Sequence, residues 1–250
     1  MFRSKIEIAS WRGRTRASVA RIREYAEDQS LEASGEQYKY FVDIVEQRRR
    51  RPADDLISRL VVVEADADDF TADDLLNLCF LLLAAGNETT RNLISGGVLA
   101  LIEHPQEREK LAVGTTPIAV GVEEMLRWCN PVIHMSRTAT KNVQLRGQDV
   151  RVGDQVVMFY GSLNRDEDVF GLDADSFRVD RDPNPHVAFG FGQHFCLGAN
   201  LARLETRVMF DELLERFPDP QLEGEVQRLR STMIRGIKHM PIRLGRPRSS

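Results

Sequence analysis

The stretch Phe189-Gly190-Phe191-Gly192-Gln193-His194-Phe195-Cys196-Leu197-Gly198 decides how this sequence is interpreted. It places a cysteine in a glycine-rich segment, directly before an apolar helical pattern that begins at Ala199. A cysteine at a helix N-terminus feels the positive end of the helix dipole, which favours the thiolate. Because Gly192 and Gly198 carry no Cβ, backbone N–H groups can approach the sulfur and a flat cofactor can lie against the segment. A soft anionic ligand suits iron, and a cysteine thiolate is a known axial ligand of haem.

Other readings of the same stretch are weaker. A dinucleotide-binding motif would need a third glycine where Phe195 stands, and a phosphate-binding loop would need a lysine where Asn200 stands. A lone cysteine is often a small buried hydrophobic residue. A cysteine-nucleophile hydrolase would need a base next to Cys196, and the nearby histidine, His194, is the only candidate in the segment.

The composition of the chain excludes several classes of protein. The 250 residues are 42% hydrophobic and 29% charged, as in ordinary soluble domains, and a net charge of −4 argues against nucleic acid as a partner. The three cysteines, Cys79, Cys129 and Cys196, form no C-x-x-C pair, which predicts a reducing cytoplasm. The longest apolar run, residues 75–85, is too short to span a bilayer.

A long helix is predicted from Ala72 to Glu103, because Thr71-Ala-Asp-Asp is typical of a helix start. Residues 75–85 are apolar on nearly all sides, which predicts burial at the centre of the fold. The middle of the helix reads Ala84-Ala85-Gly86-Asn87-Glu88-Thr89-Thr90. Its small residues would let a ligand approach, local widening could seat a water, and the segment offers a carboxylate and a hydroxyl. The alternative is close helix packing, with the polar groups bonded to the backbone.

The rest of the pattern predicts a mainly α-helical fold with small β-sheets. Further helices are expected at residues 19–25, 37–51, from Asp54, 106–112, 118–128 and 201–217, strands at 143–145 and 155–160, and a closing hairpin at 229–244.

The cysteine segment resembles the haem-ligand loop of the cytochrome P450 monooxygenases. The resemblance runs from about Gln37 to the end of the chain, with four motifs in the family's order. It implies the C-terminal portion of a cytochrome P450 fold, built around the long helix and the cysteine loop. It also implies heme b, with Cys196 as the axial ligand of the iron.

The same resemblance implies roles for further residues. Glu88 and Thr89 would act in catalysis by helping to deliver protons to dioxygen. Glu124, Arg127 and Arg181 would form a structural ion-pair motif. The other implied cofactor contacts are Phe189, Gly190, Gly192, Gly198, Ala85 and Gly86, with His194 and Arg137 at the haem propionates; the implied substrate pocket is Ala84, Ala85, Val132, Ile133, Met233 and Ile234.

The implied activity is hydroxylation of an apolar substrate with dioxygen and electrons from a ferredoxin-type partner. Several details are similar to the actinobacterial members that oxidise sterol and methyl-branched lipid side chains. We expect a cytoplasmic monomer in which residues 1–36 form a poorly defined segment and residues 37–250 an incomplete haem-binding core, truncated at its N-terminus. The alternative is a non-catalytic remnant that binds haem weakly or not at all.

Overall fold

The computed structural model of the chain describes residues 35–66 and 69–245. The helix predicted at residues 19–25, and nearly all of the segment 1–36, lie outside them. The helices are α1 (residues 35–50), α2 (Leu56–Asp66), α3 (Ala72–Glu103), α4 (Pro105–Ala112), α5 (Ile118–Cys129), α6 (Tyr160–Leu163), α7 (Glu167–Phe170) and α8 (Ala199–Arg216). The strands are β1 (His134–Thr138), β2 (Val143–Leu145), β3 (Gln148–Val150), β4 (Gln155–Phe159), β5 (Gln221–Leu222), β6 (Gln227–Arg228), β7 (Ile237–His239) and β8 (Ile242–Arg243).

The described residues fall into two compact units, which divide within α3 between Asn87 and Glu88. The first contains α1, α2 and the start of α3. Its small core is formed by one apolar face of α1 against the first turns of α3, and consists of Phe41, Val45, Leu75, Leu76 and Cys79. Burial of one side of each helix in this way is typical of an amphipathic helix.

Helix α3 has the predicted bounds, and a reciprocal cap fixes its start. The Asp74 backbone N–H donates to Thr71 Oγ1 (3.2 Å), while the Thr71 N–H donates to Asp74 Oδ2 (3.0 Å). This satisfies donors that a helix N-terminus otherwise leaves unpaired. The helix is α-helical throughout, so the expected local widening is absent.

The predicted burial of residues 75–85 is correct only for the first turns of α3. Leu75 and Leu76 are buried, but Leu81 and Leu83 are 59% and 44% exposed, and residues 84–87 are exposed as well. An apolar sequence buries a helix only where other elements supply surface to cover it, and nothing in the described ranges covers this stretch. Burial resumes at Thr90.

The second unit holds the main core. Seven of its residues, each at most 2% exposed, come from α3, α5 and α8: Leu93, Ala100, Leu101, Val122, Met125, Leu126 and Phe210. Helix α3 approaches α8 closely at Gly97, where an added Cβ would lie 2.8 Å from Phe210 Cζ. A side chain at Gly97 would therefore have to displace the buried Phe210 ring.

Four two-stranded antiparallel sheets border this core, pairing β1 with β4, β2 with β3, β5 with β8 and β6 with β7. The strands predicted at 143–145 and 155–160 are confirmed, although β4 ends at Phe159. The single hairpin expected at 229–244 is wrong, since β6 starts earlier and β8 pairs with β5. Pro241 separates β7 from β8, and the sequence pattern gives no sign of the partner at Gln221.

Candidate functional site

The cysteine segment, residues 189–198, is a tight loop closed by backbone hydrogen bonds. The Cys196 N–H donates to the Phe189 carbonyl (2.9 Å), and the Phe195 N–H donates to the carbonyl of Gly192 (3.0 Å). Gly190 and Gly192 have φ of +74° and +73°, which other L-residues rarely adopt. The glycines that suggested a ligand-binding loop therefore also set its backbone path.

Cys196 is the exposed cysteine of the chain. It lies at the N-terminus of α8, where the Ala199 N–H donates to its carbonyl (3.2 Å). Cys79 and Cys129 are buried, and burial raises the pKa of both thiols, that of Cys129 to about 12. A thiolate is the form that binds a metal, so Cys196 is the suitable ligand.

The surface around Cys196 fits a flat apolar cofactor. Phe191, Phe195 and Leu197 expose 87%, 51% and 83% of their surface beside the thiol. A Cβ added at Gly192 or Gly198 would meet nothing within 4 Å, so the loop is open at both positions. An accessible sulfur amid exposed apolar side chains is the donor set that haem requires.

A buried network of ion pairs and hydrogen bonds contacts residues 178–184, which precede the cysteine segment. Glu124 Oε1 and Oε2 each accept a 2.7 Å bond from Arg127, and Arg181 Nε lies 3.4 Å from Oε2. The carboxylate also accepts from the Arg178 N–H (2.8 Å) and from Asn184 Nδ2 (3.1 Å). The structure thus brings together the three predicted members of the ion-pair motif. They join α5 to the segment before the cysteine loop.

Arg127 extends this network to three backbone carbonyls. Its guanidinium donates to the carbonyl oxygens of Asn164 (2.8 Å), Ala174 (2.7 Å) and Ser176 (2.8 Å). The Asn164 side chain in turn accepts from the Val187 N–H (2.8 Å), two residues before the cysteine segment. The planar fork of an arginine is suited to such multiple bonding.

Sequence reasoning missed four residues that hold the loop. Asn164 is one, and Glu123, His186 and Arg203 form a second ion network. The available signal was the doublet Glu123-Glu124, because adjacent residues on a helix point in different directions and two carboxylates need two sets of partners.

The predicted catalytic residues lie side by side on α3. Glu88 accepts a hydrogen bond from Arg91 Nη2 (2.6 Å to Oε1), one turn along the helix. Thr89 is half-buried. The other residues assigned to this helix, Ala84, Ala85 and Gly86, are exposed.

Four of the predicted pocket residues meet at one point of the second unit. Val132 pairs with Ile234 in an isolated β-bridge, and the Ile133 N–H donates to the Met233 carbonyl (2.8 Å). Met233 is 48% exposed, so this junction offers apolar surface to a ligand.

The two groups predicted at the haem propionates are both exposed. Arg137 lies on β1 opposite Val156, and its Nη1 donates to the Ser136 carbonyl (2.9 Å). His194 ends the short 3₁₀ turn Gly192–His194 within the cysteine segment. Both side chains are accessible to an anionic group.

No helix in the described parts of the chain combines the length and apolarity needed to cross a bilayer. The described residues also contain no cluster of histidine, cysteine and carboxylate side chains able to hold a metal ion.

Comparison with known proteins agrees with this geometry. The sequence model of the family described as Cytochrome P450 matches residues 120–234. The chain is 44% identical over 219 residues to the methyl-branched lipid omega-hydroxylase of Mycobacterium tuberculosis, over 86% of this chain and 50% of that protein. It is 41% identical over 202 residues to the steroid C26-monooxygenase of Mycolicibacterium smegmatis, over 80% of this chain and 50% of that one.

A solved structure shows the same fold. CYP109E1 from Bacillus megaterium, in complex with testosterone, superimposes with a TM-score of 0.82 at 38% identity, covering 89% of this chain and 62% of that chain. The chain spans about half the length of the curated relatives it matches. Both its sequence and its mainly helical fold place it in one family: the chain belongs to the cytochrome P450 family.

Proposed function

We propose that this chain carries the cysteine-ligand part of a haem-thiolate monooxygenase that hydroxylates an apolar substrate with dioxygen. The observation that carries the proposal is the exposed Cys196 thiol, set at the start of α8 in a loop held by one buried and one part-buried ion network. The relatives named as a hydroxylase and a monooxygenase support the reaction class.

The cofactor would be heme b, with Cys196 as the axial ligand. Bound thiolate-ligated haem supplies activation of dioxygen for insertion of one oxygen atom into a C–H bond, while the other is reduced to water. Arg137 and His194 would hold the propionates, since a guanidinium and an imidazole N–H both bond well to carboxylates. Phe189, Gly190, Gly192 and Gly198 would contact the cofactor.

Glu88 and Thr89 would move protons. The Glu88 carboxylate accepts a hydrogen bond from Arg91, one turn along α3, and a carboxylate can act as a general acid or base. The Thr89 hydroxyl would hold a proton donor beside dioxygen. The protein's part in the chemistry is to orient these groups and to exclude bulk water.

The substrate would be a lipid or steroid side chain. The junction of Val132 and Ile133 with Met233 and Ile234 is apolar and partly exposed. The names of the relatives, a methyl-branched lipid omega-hydroxylase and a steroid C26-monooxygenase, support this class. The steroid complex of CYP109E1 supports it too.

Electrons would come from a ferredoxin-type partner, and the protein would act as a cytoplasmic monomer.

The activity test uses the chain loaded with haem, a bacterial ferredoxin with its reductase, and two substrates, a methyl-branched fatty acid and a steroid. We expect a product with one added oxygen atom from at least one of them. Cys196→Ser should abolish the product, whereas Cys79→Ala should retain it, because Cys79 lies in the other unit and is buried there.

The competing possibility is a chain that binds haem weakly or not at all and catalyses no hydroxylation. Haem stoichiometry after loading separates the two: one haem per chain supports the monooxygenase, and substoichiometric binding with no product supports the non-catalytic chain.

A further inference from the structure

The Glu123 carboxylate joins α5 to two other parts of the second unit. Its Oε1 and Oε2 accept from Arg203 Nε (2.7 Å) and Nη2 (2.9 Å) on α8, and Oε2 lies 2.9 Å from His186 Nε2. The Ala188 N–H donates to His186 Nδ1 (3.3 Å), so Nε2 carries the proton donated to Glu123. The bidentate arginine pair is the strong form of this interaction.

These partners contact the Phe189 ring, at the start of the cysteine segment. The Arg203 guanidinium lies over the ring, 4.6 Å from its centroid, and the His186 ring lies 6.1 Å away on a tilted plane. The Phe189 carbonyl is the acceptor for the Cys196 N–H. A continuous set of contacts therefore leads from Glu123, through Arg203 and Phe189, to the backbone of Cys196.

The charges in this network are coupled. The hydrogen bond from Arg203 to Glu123 raises the pKa of the guanidinium against the effect of burial. The charge of Glu123 thus balances that of Arg203. Without the carboxylate, the guanidinium would lose this counter-ion while lying against the Phe189 ring.

We propose that Glu123 is a positioning residue, which fixes the cysteine segment through Arg203, His186 and Phe189 and so sets how Cys196 is presented to the haem iron. This role is separate from that of Glu124, whose carboxylate bonds to Arg127, Arg178 and Asn184. The effect of Glu123 on haem ligation rests on the proposed function. Its effect on the order of the cysteine segment does not require haem to be bound.

The test compares the full 250-residue chain with Glu123→Gln, Glu123→Asp and a control, Glu212→Gln. Glu212 forms an exposed pair with Arg216 on α8, so its substitution removes a carboxylate of similar kind away from the loop. The first measurement is hydrogen exchange in the haem-free chain, in a peptide spanning residues 189–198 and in a reference peptide spanning β2 and β3. The second is the fraction of the haem-loaded, reduced, carbon monoxide complex that has a thiolate-type, strongly red-shifted Soret band.

We expect Glu123→Gln to speed exchange in the 189–198 peptide by at least about tenfold, because charge-assisted bonds to a part-buried carboxylate are lost. The reference peptide should be unchanged, and the red-shifted fraction should fall. Glu123→Asp should restore part of both signals, while Glu212→Gln should match the wild type. Equal exchange and an equal red-shifted fraction in Glu123→Gln and the wild type would overturn the proposal.

If Glu123→Gln loosens both peptides, Arg203→Lys decides. This substitution keeps a positive charge but removes the planar guanidinium that bonds to Glu123 and lies over Phe189. Faster exchange than in the wild type confined to the 189–198 peptide supports the proposal. The same increase in the 189–198 and reference peptides rejects it. A wild-type chain that gives no red-shifted band would contradict the proposed function, whereas the exchange result would still decide the role of Glu123.

Discussion

The Glu124 carboxylate has no exposed surface, and its charge is tolerated because four donor groups surround it. Glu124→Gln would leave the buried Arg127 without its counter-ion. We expect the free energy of unfolding to fall by about 3–5 kcal/mol, the usual effect of removing one partner of a buried pair. Urea denaturation at neutral pH measures this difference.

The matched control is Glu212→Gln, in an exposed pair. It should cost no more than about 0.5 kcal/mol. Similar losses for the two variants would mean that the buried network contributes no special stability.

The ionisation of Glu123 makes the free energy of unfolding depend on pH in the acid range. Burial favours its neutral form, but hydrogen bonds from His186 and Arg203 outweigh burial and lower its pKa from 4.5 to about 2. Because the folded-state pKa is the lower one, the stabilisation is fully present above the unfolded-state pKa and is lost as the pH falls through the folded-state value. The difference in free energy of unfolding between the wild type and Glu123→Gln should therefore be constant above about pH 5 and shrink between pH 4.5 and 2.

Chemical denaturation of both proteins across that pH range provides the measurement. A difference that stays constant down to pH 2, or grows on acidification, would show that Glu123 is not ionised more readily in the folded chain.

At the scale of elements, α3 contains two environments within one continuous helix. Leu93 is 2% exposed in the main core, whereas Leu81 is 59% exposed. We expect Leu93→Ala to lower the free energy of unfolding by about 2–5 kcal/mol, through lost apolar contacts and a cavity. Leu81→Ala serves as the control and should change it by less than about 0.5 kcal/mol, because its side chain buries little surface.

Urea denaturation of the two alanine variants compares the same chemical change at both positions. A loss at Leu81 as large as that at Leu93 would mean that the middle of α3 is covered in the folded protein.

The sequence was sufficient to predict most helices, and the reason is local. A cap such as Thr71–Asp74 and an apolar face in α1 or α5 are encoded within a few residues. Pairing between β5 and β8, and exposure of Leu81, depend on surfaces supplied by distant parts of the chain. These are the features that the local pattern predicted wrongly.

In the candidate site, too, local features could be predicted and contacts between distant residues could not. Cys196 could be proposed as a ligand because a cysteine between glycines before a helix has few structural explanations. His186 and Arg203 could not be found, since a histidine and an arginine on separate elements give no sequence sign that they share one carboxylate.

At the scale of the whole molecule, haem should act as a ligand that stabilises the folded chain. A ligand that binds the folded state alone stabilises it by about 2.7 kcal/mol when its free concentration is 100 times its Kd. We expect haem to raise the denaturation midpoint of the wild-type chain, and to raise that of Cys196→Ser much less. An equal rise in both proteins would indicate apolar adsorption of haem rather than ligation by the sulfur.

The measurement that tests the central claim most directly is the absorbance spectrum of the haem-loaded chain, reduced under carbon monoxide. The account predicts a strongly red-shifted Soret band in the wild type, and its complete loss in Cys196→Ser. A wild-type chain that binds haem stoichiometrically and gives no such band, or a Cys196→Ser chain that keeps it, would contradict ligation of the iron by Cys196.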